Sequence, residues 1–192
     1  MKHSVFSKLF GSYVLIILLL SALIVFFSFR VFKNFYISSI TNELQLLGNA
    51  LEPEITPYLK GKRFSELDAL VKDLGKKIKT RITVIDPQGV VLADSQKDPK
   101  LMENHRNRPE IIQALTNEVG SFSRYSTTIK EDLLYVALPV RENGKTVAIV
   151  RLSVLLRDLH GLLAILQKEI LKSEMIIIVI CLFGMTTLQK EF

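Results

Sequence analysis

The sequence predicts an α+β fold in which a five-stranded antiparallel sheet lies beneath a long N-terminal helix and is flanked by membrane-spanning helices. Three observations support this fold class. Uncharged apolar segments occur near both ends of the 192-residue chain. The first segment is followed by apolar residues at helical spacing. The middle of the chain contains five short strand-like segments that are separated by turn residues.

The first apolar segment, Leu9–Phe29, contains 21 consecutive residues without a charge. A helix of about 20 residues crosses the roughly 30 Å hydrocarbon core of a bilayer. A cleaved secretory signal is the alternative, because Lys2 and Lys8 precede the segment. However, the segment exceeds the roughly 7–15 apolar residues of such signals, and no small-residue cleavage site follows it. We therefore predict a cytoplasmic N-terminus at 1–8 and transmembrane helix 1 at 9–29.

The second apolar segment, at 175–189, contains 15 uncharged residues. As a helix it would be only about 22 Å long, which is short for a complete crossing. We interpret it as a truncated transmembrane helix 2, beyond which further sequence is expected. The remaining residues, 30–174, are predicted to form the folded domain.

The charge of this middle region argues against nucleic acid as a partner. Residues 30–174 contain 22 Lys and Arg against 18 Asp and Glu, which leaves +4 of the chain's net +6 spread through sequence of mixed sign. The densest basic run, KKIKTR at 76–81, lacks interleaved aromatic side chains on which bases could stack. Cys181 is the only cysteine, which excludes a disulfide framework and a cysteine-based metal site.

A helix is predicted to continue outward from the first apolar segment. Apolar residues recur there at spacings of three and four: Ile37, Ile40, Leu44, Leu47 and Leu51. Pro53 and Pro57 are expected to disturb this helix, and Gly61 to end it. A second such stripe precedes the last apolar segment: Leu155, Leu159, Leu162, Leu166 and Ile170. The first stripe can pack on its own sheet or form a homodimer interface, and the two uses are compatible.

Short-range signals define the elements between these helices. Ser65 and Asp68 resemble a capping box at the start of a helix over 65–77. Strands are predicted at 81–86, 90–94, 121–128, 132–140 and 146–154. An Asn107-capped helix closed by Gly120 lies between the second and third strands. The pair Asn143-Gly144 predicts a tight hairpin between the last two strands.

Four segments carry a resemblance to a known family: RITVIDPQGVVLADS, then MENHRNRPEIIQAL, SFSRYS and LLYVALPV. Together they resemble the extracytoplasmic sensor domain of PhoR-type two-component histidine kinases, over roughly residues 1–188. The resemblance implies a PAS-like (single Cache) fold, a homodimer and the bacterial cytoplasmic (inner) membrane, with residues 30–174 outside the cell. The HAMP linker, phosphoacceptor helix and ATP-binding domain of such kinases have no counterpart here. We therefore predict no catalytic residues and no cofactor, with a response regulator contacted only through the missing kinase part.

Five side chains are candidates for ligand binding. His105 can be a metal ligand or a pH-sensitive group, although a loop histidine held by hydrogen bonds is favoured. Arg108 precedes a helix start, where it can bind a carboxylate or phosphate, or form a salt bridge to Asp94 or Glu103. Arg124, Tyr125 and Tyr135 lie on strands, and arginine beside aromatic rings suits a small anionic ligand.

The sequence therefore predicts the sensor half of a histidine kinase that binds a small anion or an extracytoplasmic partner protein. Two alternatives remain. One is a membrane-tethered interaction module that does not signal. The other is the sensor half of a chemoreceptor or of a cyclic-dinucleotide enzyme, because such modules are shared among outputs.

Overall fold

The computed structural model describes residues 5–116, 119–126 and 131–191. The helices are α1 (Val5–Lys60), α2 (Phe64–Ile78), α3 (Pro109–Thr116) and α4 (Arg157–Glu191), and a 3₁₀ turn covers Pro99–Leu101. The strands are β1 (Arg81–Ile85), β2 (Val91–Asp94), β3 (Gly120–Ser126), β4 (Glu131–Glu142) and β5 (Lys145–Leu155). The chain divides into two units. One is Ile37–Arg157, and the other combines the start of α1 with α4.

The five strands form one sheet in the order β2-β1-β5-β4-β3, and all the pairings that the structure describes are antiparallel. This confirms the predicted fold class. The β4–β5 hairpin turns at Asn143 and Gly144, whose φ angles of 49° and 77° are the left-handed values that a two-residue turn requires. The turn before β2 is closed by a hydrogen bond from the Gly89 N–H to the Asp86 carbonyl, 3.0 Å long.

One face of the sheet is apolar. The strand pattern predicts six core residues, and all six are buried. Five of them lie on this face, Ile82, Val84, Val136, Leu138 and Val150, whereas Ile149, the neighbour of Val150 in β5, lies on the opposite face. Helices α1 and α2 cover the apolar face and contribute the buried side chains of Leu44, Leu51, Ile55, Leu67 and Val71. Helix α1 approaches β4 closely at Gly48, where a Cβ would lie 2.6 Å from Leu138 Cδ1.

The opposite face of the sheet is divided in two. At one end, strand residues pack with α3 in an apolar cluster: Ile85, Val91, Ile111, Ala114, Ala137 and Ile149. At the other end the same face carries polar residues in alternation, with Arg81 and Thr83 on β1 paired with Ser153 and Arg151 on β5. This polar half lies beside the segment that leads from β2 to α3.

Several local predictions are wrong. Helix α1 runs unbroken through Pro53 and Pro57, because the burial of Leu51 and Ile55 against the sheet offsets the roughly 3 kcal/mol cost of an internal proline. No capping box forms at Ser65: the residue before α2 is Arg63. The Asp68 carboxylate instead accepts the Asp94 N–H at 3.1 Å.

Helix α3 also differs from its prediction at both ends. It begins at Pro109, a favoured first helical residue, so that Arg108 and not Asn107 precedes it. It ends at Thr116, and Gly120 begins β3 instead of closing the helix.

The two predicted stripes have different outcomes. Leu44 and Leu51 are buried in the unit that contains the sheet, whereas Ile37, Ile40 and Leu47 are only partly buried. Leu155 is not helical, because β5 extends through it and α4 begins at Arg157. Leu162 and Leu166 lie on α4 and are exposed, and the side chain of Leu159 is outside the described part of the chain. A dimer interface along these stripes stays a prediction.

Replacing Val150 with aspartate is expected to prevent the folding of the unit at 37–157. Val150 is 1% exposed on the apolar face, and an unpaired carboxylate buried there costs several kcal/mol, a large part of a typical domain stability of about 5–15 kcal/mol. Limited proteolysis of the full chain in detergent measures the effect. Val90→Asp is the matched control, because Val90 is 50% exposed. A Val150→Asp variant as resistant as wild type would contradict the assigned face.

Candidate functional site

A cavity of about 480 Å³ lies over the polar half of the sheet. Its wall contains five basic side chains: Arg81, Lys97, Arg108, Arg124 and Arg151. His105, Tyr125, Tyr135 and Glu103 also line it. The strands supply the floor, and the segment between β2 and α3 supplies the opposite wall. Positive charge is therefore concentrated around a half-open cavity.

Glu110 organises the arginines of this wall. Its side chain is fully buried, and its two carboxylate oxygens accept hydrogen bonds from both terminal nitrogens of Arg124, at 3.1 and 3.2 Å. The same carboxylate accepts a hydrogen bond from Arg151 Nη1 at 3.2 Å. Two guanidinium groups from β3 and β5 are thus held by one carboxylate on α3.

Gly120 allows this arrangement. Helix α3 lies against the start of β3 so closely that a Cβ at Gly120 would overlap the backbone carbonyl of Glu110. Gln113 supports the same contact, because its side-chain oxygen accepts the Ser121 N–H at 2.8 Å. Because Gly120 has no side chain, α3 can pack this close to β3, and this packing brings the Glu110 carboxylate to the arginines.

A second buried carboxylate, Asp94, extends the network to the edge of the sheet. Arg81 Nε donates to both of its oxygens, at 3.2 and 3.1 Å, and the Thr83 hydroxyl donates to it at 2.8 Å. Thr83 in turn accepts a hydrogen bond from Arg151 Nη2 at 3.3 Å. Asp94 also accepts the backbone N–H groups of Gln96 and Lys97 at 2.9 Å each, which orders the start of the segment that covers the cavity.

Tyr135 lies at the centre of the cationic wall. The guanidinium carbon of Arg124 is 4.0 Å from the centre of its ring, and that of Arg151 is 5.2 Å away. Cation–π attraction at such distances stabilises both arginines without neutralising them. The two side chains therefore remain charged groups that face the cavity.

Two buried nitrogens of the cavity wall have no hydrogen-bond partner among the residues that the structure describes: His105 Nδ1 and Arg151 Nε. Buried polar groups are normally paired, and an unpaired one costs about 1–3 kcal/mol. Each of these side chains is less than a tenth exposed.

His105 is held in a low-dielectric, cationic environment. Its backbone N–H donates to the Gly89 carbonyl at 2.8 Å, which ties the covering segment to the β1–β2 turn. Burial, followed by the positive charges of Arg151 and Arg108, lowers the pKa of His105 to about 4. The imidazole is therefore neutral at physiological pH.

All five side chains proposed from the sequence, His105, Arg108, Arg124, Tyr125 and Tyr135, line this one cavity. The salt bridge considered for Arg108 is present, to Glu103 at 3.5 Å, but Glu103 is mostly exposed. Asp94, the other partner considered for Arg108, pairs instead with Arg81. Sequence reasoning missed Arg81, Thr83, Lys97, Glu110 and Arg151. The sequence does contain a signal for Arg81, Thr83 and Arg151, which is the alternation of polar residues with buried apolar ones in RITVI and VRLSV.

The antiparallel five-stranded sheet with its long N-terminal helix is the fold of a single Cache domain. Residues 59–154, half of the chain, match the family described as Single Cache-like. The chain therefore belongs to the single Cache-like family. No curated protein sequence matches it.

Solved structures share this fold at low sequence identity. The sensor domain of the Vibrio cholerae histidine kinase DctB is 16% identical, with a TM-score of 0.52, and the match covers 63% of this chain and 52% of that one. The sensory domain of the Campylobacter jejuni chemoreceptor Tlp3, with isoleucine bound, is 17% identical, with a TM-score of 0.54, and the match covers 67% of this chain and 57% of that one. The Escherichia coli DcuS sensor domain is 20% identical, with a TM-score of 0.52, covering 65% and 95%. The chain thus spans little more than half the length of the first two.

We expect the stability of the protein to fall as the pH is lowered from about 6.5 to about 4 through the protonation of His105. Because the folded-state pKa lies below the ordinary value of 6.5, the unfolded chain takes up this proton first, and acid favours unfolding across that interval. Thermal melts of wild type and His105→Asn at several pH values measure the effect. The variant should lose less melting temperature between pH 6.5 and pH 4, and parallel pH profiles would refute the assignment.

Proposed function

We propose that this chain is the membrane-anchored sensor half of a two-component histidine kinase, and that its cavity binds a small organic anion. The observation that carries the proposal is a half-open cavity that, among the described residues, is lined by five basic side chains. A cavity lined mainly by basic side chains prefers ligands that carry negative charge.

The charges of the site favour an anion that carries more than one negative charge. Five basic side chains line the cavity, and three carboxylates pair with them: Asp94, Glu103 and Glu110. Among the described residues, two positive charges remain at the cavity, because His105 is neutral. Arginine binds planar carboxylates through parallel hydrogen bonds, so an organic acid with two carboxylates matches the residual charge.

The connections of the domain support a role in signalling across a membrane. Strand β5 carries Arg151 and ends at Leu155, and α4 begins at Arg157. Helix α4 continues through the apolar residues at 175–189. At the other end, α1 combines the helical residues that pack on the sheet with a segment from Leu9 that is long and apolar enough to cross a membrane. A change at the cavity wall therefore has a short covalent path to α4.

The histidine kinase output is supported by the resemblance of the sequence to PhoR-type sensors and by the fold shared with the sensor domain of the V. cholerae histidine kinase DctB. A chemoreceptor output is the second candidate, because the C. jejuni chemoreceptor shares the fold at a TM-score of 0.54. The reading frame that follows residue 192 separates them: a HAMP linker with a phosphoacceptor-histidine helix supports the kinase. In either case the chain itself is proposed to have no phosphotransfer activity and to act as a homodimer.

Replacing Arg108 with alanine is expected to weaken the binding of glutarate, used as a dicarboxylate probe, by about tenfold or more, because a hydrogen bond to a charged group is lost. Isothermal titration calorimetry with the full chain in nanodiscs measures this. Arg106→Ala is the matched control: Arg106 lies two residues away, outside the cavity wall, and donates to the Pro87 carbonyl. If wild type binds no anion, or both variants bind as wild type does, the anion proposal is wrong.

The proposed topology has its own test. Protease added to intact spheroplasts should digest the domain at 30–174, because it is expected to lie outside the cytoplasmic membrane. A cytoplasmic marker protein should stay intact in the same sample. Complete protection of the domain, with digestion only after the membrane is lysed, would place it in the cytoplasm and overturn the sensor orientation.

A further inference from the structure

Glu110 lies behind the wall of the cavity and not in it. Its side chain is fully buried, and the groups that it contacts, Arg124 and Arg151, are the ones that face the cavity. A ligand therefore does not touch Glu110. Glu110 can affect a ligand in two ways. Its negative charge repels an anion, and its carboxylate engages arginine N–H groups that could otherwise donate to the ligand.

Both effects reduce the attraction of the cavity for anions. Glu110 cancels one of the positive charges around the cavity, and it engages both terminal nitrogens of Arg124 and one of those of Arg151. In a partly buried site the interaction between unit charges a few ångströms apart is large, because the effective dielectric constant is about 20 and not 80. The penalty grows with each negative charge that a ligand adds.

We propose that Glu110 is a specificity-determining residue that limits the charge of the ligand. With Glu110 ionised, two positive charges remain at the cavity; without it there are three. A dianion is then accepted, and a trianion of similar size is rejected because its third charge has no counterpart. Discrimination of this kind works by disfavouring the wrong ligand. The inference rests on the proposed anion-binding function.

The structure allows charge selection to be separated from mere support of the fold. A carboxylate that only held Arg124 and Arg151 in place would, when altered, weaken all anions alike. A carboxylate that sets the charge changes the ratio of affinities between anions. Arg124 offers the opposite change, because its removal subtracts a positive charge while the 3.2 Å bond between Glu110 and Arg151 is retained.

The test uses two probes that share a three-carbon core, glutarate and propane-1,2,3-tricarboxylate, which differ by one central carboxylate. Their dissociation constants are measured by calorimetry at pH 8 for the full chain in nanodiscs. Wild type should bind glutarate more tightly. Glu110→Gln should shift the ratio of the two constants by about tenfold or more toward the tricarboxylate. Arg124→Gln should shift this ratio toward glutarate. The variant that combines Glu110→Gln with Arg124→Gln should have a ratio close to that of wild type.

Glu142→Gln is the matched control, because Glu142 pairs with Lys60 at 3.0 Å at the hairpin end of β4 and leaves the cavity unchanged. For this variant, the ratio of the dissociation constants for the two probes should equal the wild-type ratio. An unchanged ratio in Glu110→Gln, or equal weakening of both probes, would overturn the inference while leaving anion sensing intact. If Glu110→Gln does not fold, the comparison of Arg124→Gln with the double variant decides: equal ratios refute the proposal. Failure of wild type to bind any anion would refute the proposed function itself.

Discussion

The ion pairs that Glu110 makes with Arg124 and Arg151 are the contacts on which the site depends. The carboxylate belongs to α3, one arginine to the edge strand β3 and the other to β5, and only the close packing at Gly120 brings all three together. Breaking a buried pair leaves an uncompensated charge that typically costs 3–5 kcal/mol. The same contacts hold two guanidinium groups at a cavity that contains an excess of positive charge, so packing and recognition share one set of atoms.

The two faces of the sheet explain how one small domain carries both a core and a polar site. The face against α1 and α2 buries apolar side chains and supplies most of the hydrophobic stabilisation. The opposite face is apolar only where α3 covers it, at the cluster that includes Ile85, Ile111 and Ile149. The remaining half can carry arginines, because none of the helices in the described part of the chain buries it. This half includes β5, whose last residue, Leu155, lies two residues before the start of α4 at Arg157.

Much of the fold was predictable from local sequence signals. Alternation gave the strands and the buried positions, and Asn143-Gly144 gave the last hairpin, because these signals act over a few residues. The buried ion-pair network around the cavity was predictable only in part. Glu110 near a helix start is typical of an exposed capping position, and nothing local marks it as buried. Its partners are 14 and 41 residues away in sequence, so its role depends on tertiary packing. The prediction that Pro53 and Pro57 disturb α1 was wrong for the same reason, because burial of the helix on the sheet outweighs the local helix-breaking preference of proline.

The most direct test of the central claim is a crystal structure of the protein grown with selenate, a dianion whose selenium gives an anomalous signal. The cationic cavity predicts a selenium peak inside it, with an oxygen within hydrogen-bond distance of a lining arginine such as Arg108 and the bonds from Arg124 and Arg151 to Glu110 still formed. Peaks found only at exposed residues such as Arg106, with the cavity empty at a selenate concentration that saturates those sites, would contradict the account.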